Sequence, residues 1–188
     1  MREITLHLLD IVENSVAADA KYIQITIEED MLRDVLFISI QDDGKGMDKE
    51  TVAVITDPFT TSRKERKVGL GIPLFKEAAE ACQGSLTVTS KLGKGTKIEV
   101  TFQHNHIDRM PLGDVAATIF SIVIAHADIH WKFTYRYVQP NGQAEEFLFD
   151  DEPIKETLGE IPLTEPSVLT YIREMVYEGV SLCQKPIT

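Results

Sequence analysis

Apolar residues recur at Ile4, Leu8, Ile11 and Val12, with Ser15 on the same stripe, so residues 4–18 are predicted to form an amphipathic helix. Ile23, Ile25 and Ile27 then alternate with Gln24, Thr26 and Glu28, the period of a half-buried strand. Acidic residues at 28–30 mark a turn into a second strand over 35–41, which ends at Asp42-Asp43-Gly44-Lys45-Gly46. Asp48 can cap a short helix over 49–56, and 72–83 read as a helix that Gly84 terminates. Leu86 and Val88 mark a third strand. After the turn 92–95, Ile98, Val100 and Phe102 mark a fourth. Helices interleaved with strand pairs predict one antiparallel-leaning sheet backed by helices.

Beyond residue 104 the pattern changes. Met110-Pro111-Leu112-Gly113 reads as a connector and 114–126 as an apolar helix. Residues 129–138 and 143–150 read as a hairpin around Pro140-Asn141-Gly142. Helical stretches over 153–158 and 165–182 follow. The division is therefore a first unit over 1–103 and a small α+β module over 104–188. Trp131, Phe133, Tyr135 and Tyr137 alternate along one strand, as a core row or a partner-binding face.

With 188 residues, 43% hydrophobic and 26% charged, the chain can bury one substantial core, or one core and a small appendage. A net charge of −11 argues against nucleic acid and against an anionic membrane surface, since both demand clustered cations. Two distant cysteines, Cys82 and Cys183, fit reduced thiols. With no long apolar run and no signal-like N-terminus, a cytoplasmic protein is expected.

Four features of the first hundred residues can form one site. Asp10 and Asn14 are four apart, on one face of the first helix, and the Asn14 carboxamide oxygen suits a hard cation. Asp42-x-Gly44-x-Gly46 closes a strand, where a carboxylate can accept from an amine; alone it reads first as a tight turn. Asp57-Pro58-Phe59-Thr60-Thr61-Ser62 is followed by Arg63, Lys64, Arg66 and Lys67, four of the thirteen basic residues before position 104. Gly69-Leu70-Gly71 then opens a helix, whose N-terminal amides favour an anion. This segment reads as a solvated loop, a lid, or both. Gly93-Lys94-Gly95-Thr96 completes the set as a hairpin turn.

In this order and spacing, the four features resemble the N-box, G1-box, F-box with ATP lid and G2-box, and closing Gly-x-Gly-Thr of the gyrase, chaperone, histidine-kinase and mismatch-repair superfamily. The resemblance covers residues 1–103. It implies a Bergerat-type fold, a two-layer α+β sandwich with a mixed sheet backed by helices, and it implies ATP and Mg²⁺ as ligands. Carried over, Asn14 holds Mg²⁺, Asp42 receives the adenine amine with Thr96 supporting it through water, and Gly44 and Gly46 line the base. Gly69 and Gly71 hold phosphates, Lys67 neutralises them, and Thr60, Thr61 and Leu70 complete the nucleotide-binding set. Residues 57–61 and 69–72 look most like sensor histidine kinases, and the opening helix more like mismatch-repair ATPases. The whole chain, with His106-Ile107-Asp108-Arg109 and Pro111-Leu112-Gly113-Asp114, is similar to small ATP-binding proteins found beside iron-only hydrogenase components in anaerobic bacteria. That implies a redox-linked protein partner.

The superfamily's ATPases carry a glutamate as general base four residues before the Mg²⁺-binding asparagine, and Asp10 stands there. It has the charge but is one methylene shorter; Glu13 could substitute from another direction. A phosphoacceptor hairpin is not expected ahead of the domain, and His7, on the N-box helix, reads as a half-buried helix histidine. His104 and His106 have strand spacing for a metal, although a polar connector is the simpler account. Three functions stay open: a kinase or phosphotransfer regulator acting on a partner, a slow ATPase switch, and a nucleotide-sensing scaffold without catalysis.

Overall fold

The structure, a computed structural model, describes residues 3–55 and 71–184. The elements in chain order are α1 (Ile4–Ala17), β1 (Tyr22–Asp30), β2 (Val35–Asp42), α2 (Lys49–Ile55), α3 (Gly71–Ala81), β3 (Ser85–Lys91) and β4 (Gly95–Gln103). They continue with α4 (Val115–Ala125), β5 (His130–Val138), β6 (Ala144–Asp150), α5 (Glu152–Leu158) and α6 (Pro166–Cys183). The strands form one sheet in the order β3-β4-β2-β1-β5-β6. β1 and β5 run parallel and every other pair is antiparallel, so the sheet is mixed.

The strand period of two sends Ile23, Ile25, Ile27, Leu36, Ile38 and Ile40 to one face, where all are buried. Ile98, Val100 and Phe102 join them from β4, and Trp131, Phe133 and Tyr135 from β5. α1 and α3 pack together over the first part of this face, while α4 and α6 pack together over the second. α1 also touches α4, so the core is continuous. The result is a two-layer α+β architecture. The aromatic row of β5 is core, with Tyr137 half-buried against it.

The sheet does not stop at residue 103. β5 pairs with β1 over nine consecutive positions, from Tyr22 with His130 to Asp30 with Val138. The connector is equally engaged. α1 has no side-chain N-cap, and its first amides donate instead to the carbonyls of Pro111 and Leu112, each at 3.0 Å. Residues 111–112 thus satisfy donors that a helix start leaves open.

Gly84 has a different role from the one its position suggests. α3 ends at Ala81, and the left-handed residue beyond it is Gln83, at φ 56°. A Cβ at Gly84 would stand 1.8 Å from the Thr101 carbonyl oxygen, so glycine is required by the close approach to β4. Gly179 does the same inside α6, where a Cβ would meet the Phe147 ring at 2.2 Å.

One buried polar network ties β1, β4, β5 and the end of α6 together. Glu29 is bonded by His104 Nε2 at 2.7 Å and by the Tyr135 hydroxyl, which accepts from Gln184 Nε2 at 2.7 Å. His104 and His106 therefore do not converge on one ligand set; His106 lies near Asp108 instead. Burial opposes ionisation of Glu29, but the bonds from His104 and Tyr135 outweigh it and hold the carboxyl below the ordinary value of 4.5. Burial and the Glu29 charge push the Tyr135 hydroxyl far up, so it stays protonated and donates.

A carboxyl depressed in the folded state stabilises fully above its unfolded value, and loses that contribution as pH falls through the folded one. The protein should therefore lose stability below about pH 4.5. Glu29→Gln should cost about 1–3 kcal/mol at neutral pH by leaving buried donors poorly matched, and should flatten that acid limb. Urea unfolding from pH 7 downward tests this; an unchanged acid slope in the variant would assign the effect elsewhere.

Candidate functional site

Asp42 is the last residue of β2 and 7% exposed, so its carboxylate must be satisfied internally. Oδ1 accepts from the Gly44 amide at 3.0 Å and the Thr96 amide at 3.2 Å. Oδ2 accepts from the Ser15 hydroxyl at 2.7 Å. A carboxylate offers about four acceptor positions. Three are used, and Asp42 helps to line an adjoining cavity.

That cavity holds about 320 Å³. Ile11 and Ala17 of α1, Met47, Ile55 of α2, Ile72 of α3 and Ile98 of β4 supply apolar walls. Asn14, Asp42, Lys45 and Thr96 are among its polar groups. An apolar slot with one fixed buried acceptor fits a flat heterocycle carrying an amino group.

The turn glycines are dictated by backbone approaches. Gly46, at φ 62°, lines the cavity, and a Cβ there would stand 2.1 Å from the Lys91 carbonyl oxygen. Gly95, at φ 91°, passes the Asp42 carbonyl so closely that a Cβ would sit 1.9 Å away. Gly44 is not on the cavity wall: it packs on Ala18 at the end of α1, where a Cβ would come 2.8 Å from the carbonyl oxygen, and its amide holds Asp42. Its part is to fasten the carboxylate. Asp43 anchors the same corner, its Oδ1 accepting from the amides of Lys21 and Tyr22 at 2.7 and 2.9 Å.

Asn14 lines the cavity from the exposed side of α1, and its carboxamide makes no hydrogen bond among the described residues. Asp10, one turn earlier, is exposed and abuts the start of α3: a Cβ at Gly71 would lie 3.0 Å from the Asp10 Cβ. Glu13 points elsewhere, bonded to His126 Nε2 at 3.0 Å. His7 is buried and stacks on Phe75 with centroids 5.0 Å apart, a core position. Thr60, Thr61, Lys67, Gly69 and Leu70 lie outside the described residues, as does the rest of the Asp57 to Ser62 segment and the basic run.

Two residues of the site were missed by motif reading. Ser15, on the apolar stripe of α1, is 4% exposed and bonds Asp42. A hydroxyl within an apolar face was the signal. Ser90 of β3 accepts from the Met47 amide at 2.8 Å, donates to the Gly95 carbonyl at 2.9 Å and pairs with Thr96 Oγ1 at 2.9 Å. Nothing in its local sequence marks it. Thr96 thereby contributes its amide directly to Asp42 and spends its hydroxyl on Ser90.

Both cysteines are buried free thiols, and burial raises both. Among the described residues, no helix is long and apolar enough to cross a membrane.

Residues 2–106 match the family described as histidine kinase-, DNA gyrase B-, and HSP90-like ATPase. Sporulation kinase C of Bacillus subtilis is 33% identical over 92 residues, which are 49% of this chain and 21% of the kinase. Sporulation kinase E of the same organism is 34% identical over 95 residues, 50% of this chain and 13% of that one. Among solved structures, the catalytic domain of histidine kinase ThkA is similar at 20% identity and a TM-score of 0.42, covering 55% of this chain and 68% of that one. The chain thus matches only a minor part of the curated kinases.

Proposed function

This chain belongs to the family of histidine kinase-, DNA gyrase B- and HSP90-like ATPases, and on that premise we propose that it binds Mg-ATP in the Asp42 cavity and acts on a protein partner according to its nucleotide state. The buried Asp42 carboxylate, held by Ser15, Gly44 and Thr96 on the wall of an apolar slot, carries this reading. An adenine amine supplies the matching donor, and Ile11, Met47, Ile72 and Ile98 offer the faces of a base their apolar surface.

From that anchor the phosphates extend toward the exposed side of α1 and the start of α3, where helix amides and dipole favour negative charge. Asn14 would hold Mg²⁺, an ion that prefers oxygen ligands such as water and phosphate beside a carboxamide oxygen. The ion would neutralise charge on the phosphates. Asp10, which lies beside Gly71, would accept a proton from an attacking water. Because Glu13 is bonded to His126, Asp10 is the better-placed of the two α1 carboxylates weighed for this role. That favours slow turnover or transfer to a partner, and a purely sensing role is the alternative if Asp10 is inactive. A redox-linked partner follows from the resemblance carried by residues 106–114.

Asn14→Ala should remove most of the difference between ATP affinities measured with and without Mg²⁺, while leaving metal-free binding in place. Calorimetric titration under both conditions tests the assignment. An undiminished Mg²⁺ effect in the variant would rule out Asn14 as the ligand. Phosphate release by Asp10→Asn and the parent then separates turnover from sensing.

A further inference from the structure

A second cavity lies far from these residues in sequence, between α5 and α6. It holds about 460 Å³ and is lined by Pro153, Ile154, Thr157, Leu158, Val168 and Tyr171, together with Ser167. Only Thr157 and Ser167 bring polar side chains with no ring. The Thr157 hydroxyl is turned back to its own helix, donating to the Pro153 carbonyl at 2.8 Å, and Ser167 is tied to the Glu165 cap. Tyr171 is 55% exposed, and Ile161 beside the groove 52%. The groove therefore presents apolar surface, with the Thr157 and Ser167 hydroxyls already engaged.

Its surroundings are predominantly acidic. Residues 151–174 contain six acidic and two basic side chains. Lys155 does not offset the excess outward, because its ammonium lies 2.7 Å from buried Asp151 and donates to the Ile129 carbonyl at 2.5 Å. Glu152, Glu156, Glu160 and Glu174 are exposed around the groove-forming helices, with Arg173 as the remaining cation.

We infer that the α5–α6 groove docks a basic amphipathic helix of a partner protein, with apolar side chains seated between Leu158 and Val168 and Lys or Arg residues over the flanking glutamates. A cleft between two helices accepts a third helix by its apolar ridge. The charge selects among occupants. A second copy would bring the same acids against these acids, and anionic lipid or nucleic acid would be repelled. A cationic helix alone satisfies both the apolar lining and the acidic rim. This reading does not depend on nucleotide binding.

The test uses the full chain and a fluorescein-labelled amphipathic peptide with leucines on one helical face and lysines on the other. Its controls are a glutamate-for-lysine isologue and a sequence-scrambled peptide of the same composition. Anisotropy should show saturable binding of the lysine peptide that weakens as salt rises, and none of the glutamate isologue. Thr157→Trp, which fills the groove from an exposed position, and Tyr171→Ala should each reduce affinity by about tenfold. The double variant Glu156→Lys, Glu160→Lys should lower affinity and flatten the salt dependence. Equal binding of the scrambled peptide, or indifference to both groove variants, would reduce the effect to general charge attraction and overturn the proposal. ATP titration of the same samples keeps the two readings apart: absent peptide binding with intact ATP affinity removes the groove alone.

Discussion

Asp42→Asn should weaken ATP binding by about tenfold to a hundredfold or more, the equivalent of roughly 1.5–3 kcal/mol for a lost charge-assisted bond, while the folded structure persists. The reason lies in how the carboxylate is held. An asparagine can keep its oxygen where Oδ1 accepts from the Gly44 and Thr96 amides. Its NH₂ group then replaces Oδ2, where it can donate to the Ser15 hydroxyl oxygen and remain satisfied. The cost falls on the cavity side, where an acceptor has become a donor facing an amine. Calorimetry with a non-hydrolysable ATP analogue measures the loss, and circular dichroism with urea unfolding checks the fold. Parent-like affinity in a folded variant would place the base elsewhere. Ser15→Ala should give a milder loss, since it removes one donor without changing polarity.

Truncation after Gln103 should destroy cooperative folding, although it retains every recognised nucleotide motif. The cut removes β5 and leaves β1, now the third strand from one edge, as an open edge with nine unpaired positions. A long, flat, apolar edge invites association with other chains. The amides of Ile4 and Thr5 lose the Pro111 and Leu112 carbonyls, and α1 loses α4 as a neighbour. The fragment also forfeits the large core side chains Trp131, Phe133 and Tyr135. Each such side chain contributes about 1.5–3 kcal/mol by burial, and total stabilities are only about 5–15 kcal/mol. The fragment is expected to precipitate or to melt without a transition in calorimetry. A soluble fragment with cooperative unfolding and parental ATP affinity would show that residues 104–188 are dispensable to the fold.

What the sequence determined by itself was local. Period-two alternation at Ile23, Ile25 and Ile27, and the helical stripe at Ile4, Leu8 and Ile11, fixed element types because burial of one face is a property of neighbouring residues. Asp42, Asn14, Gly46 and Thr96, which line one cavity, were legible as candidates because their motifs stand in an order the family shares. Tertiary structure decided what depends on partners distant in sequence. Nothing near Trp131 announces that β5 will pair in parallel with β1 about a hundred positions earlier (a crossover whose register is set by packing). The sequence also could not show that Ser90 would meet Thr96 across a hairpin, that Glu13 would be drawn to His126, or that Gly44 and Gly84 serve backbone contacts. Each of these is a hydrogen bond or a close approach between separate segments, and its existence is settled only when the sheet and the helix layer come together.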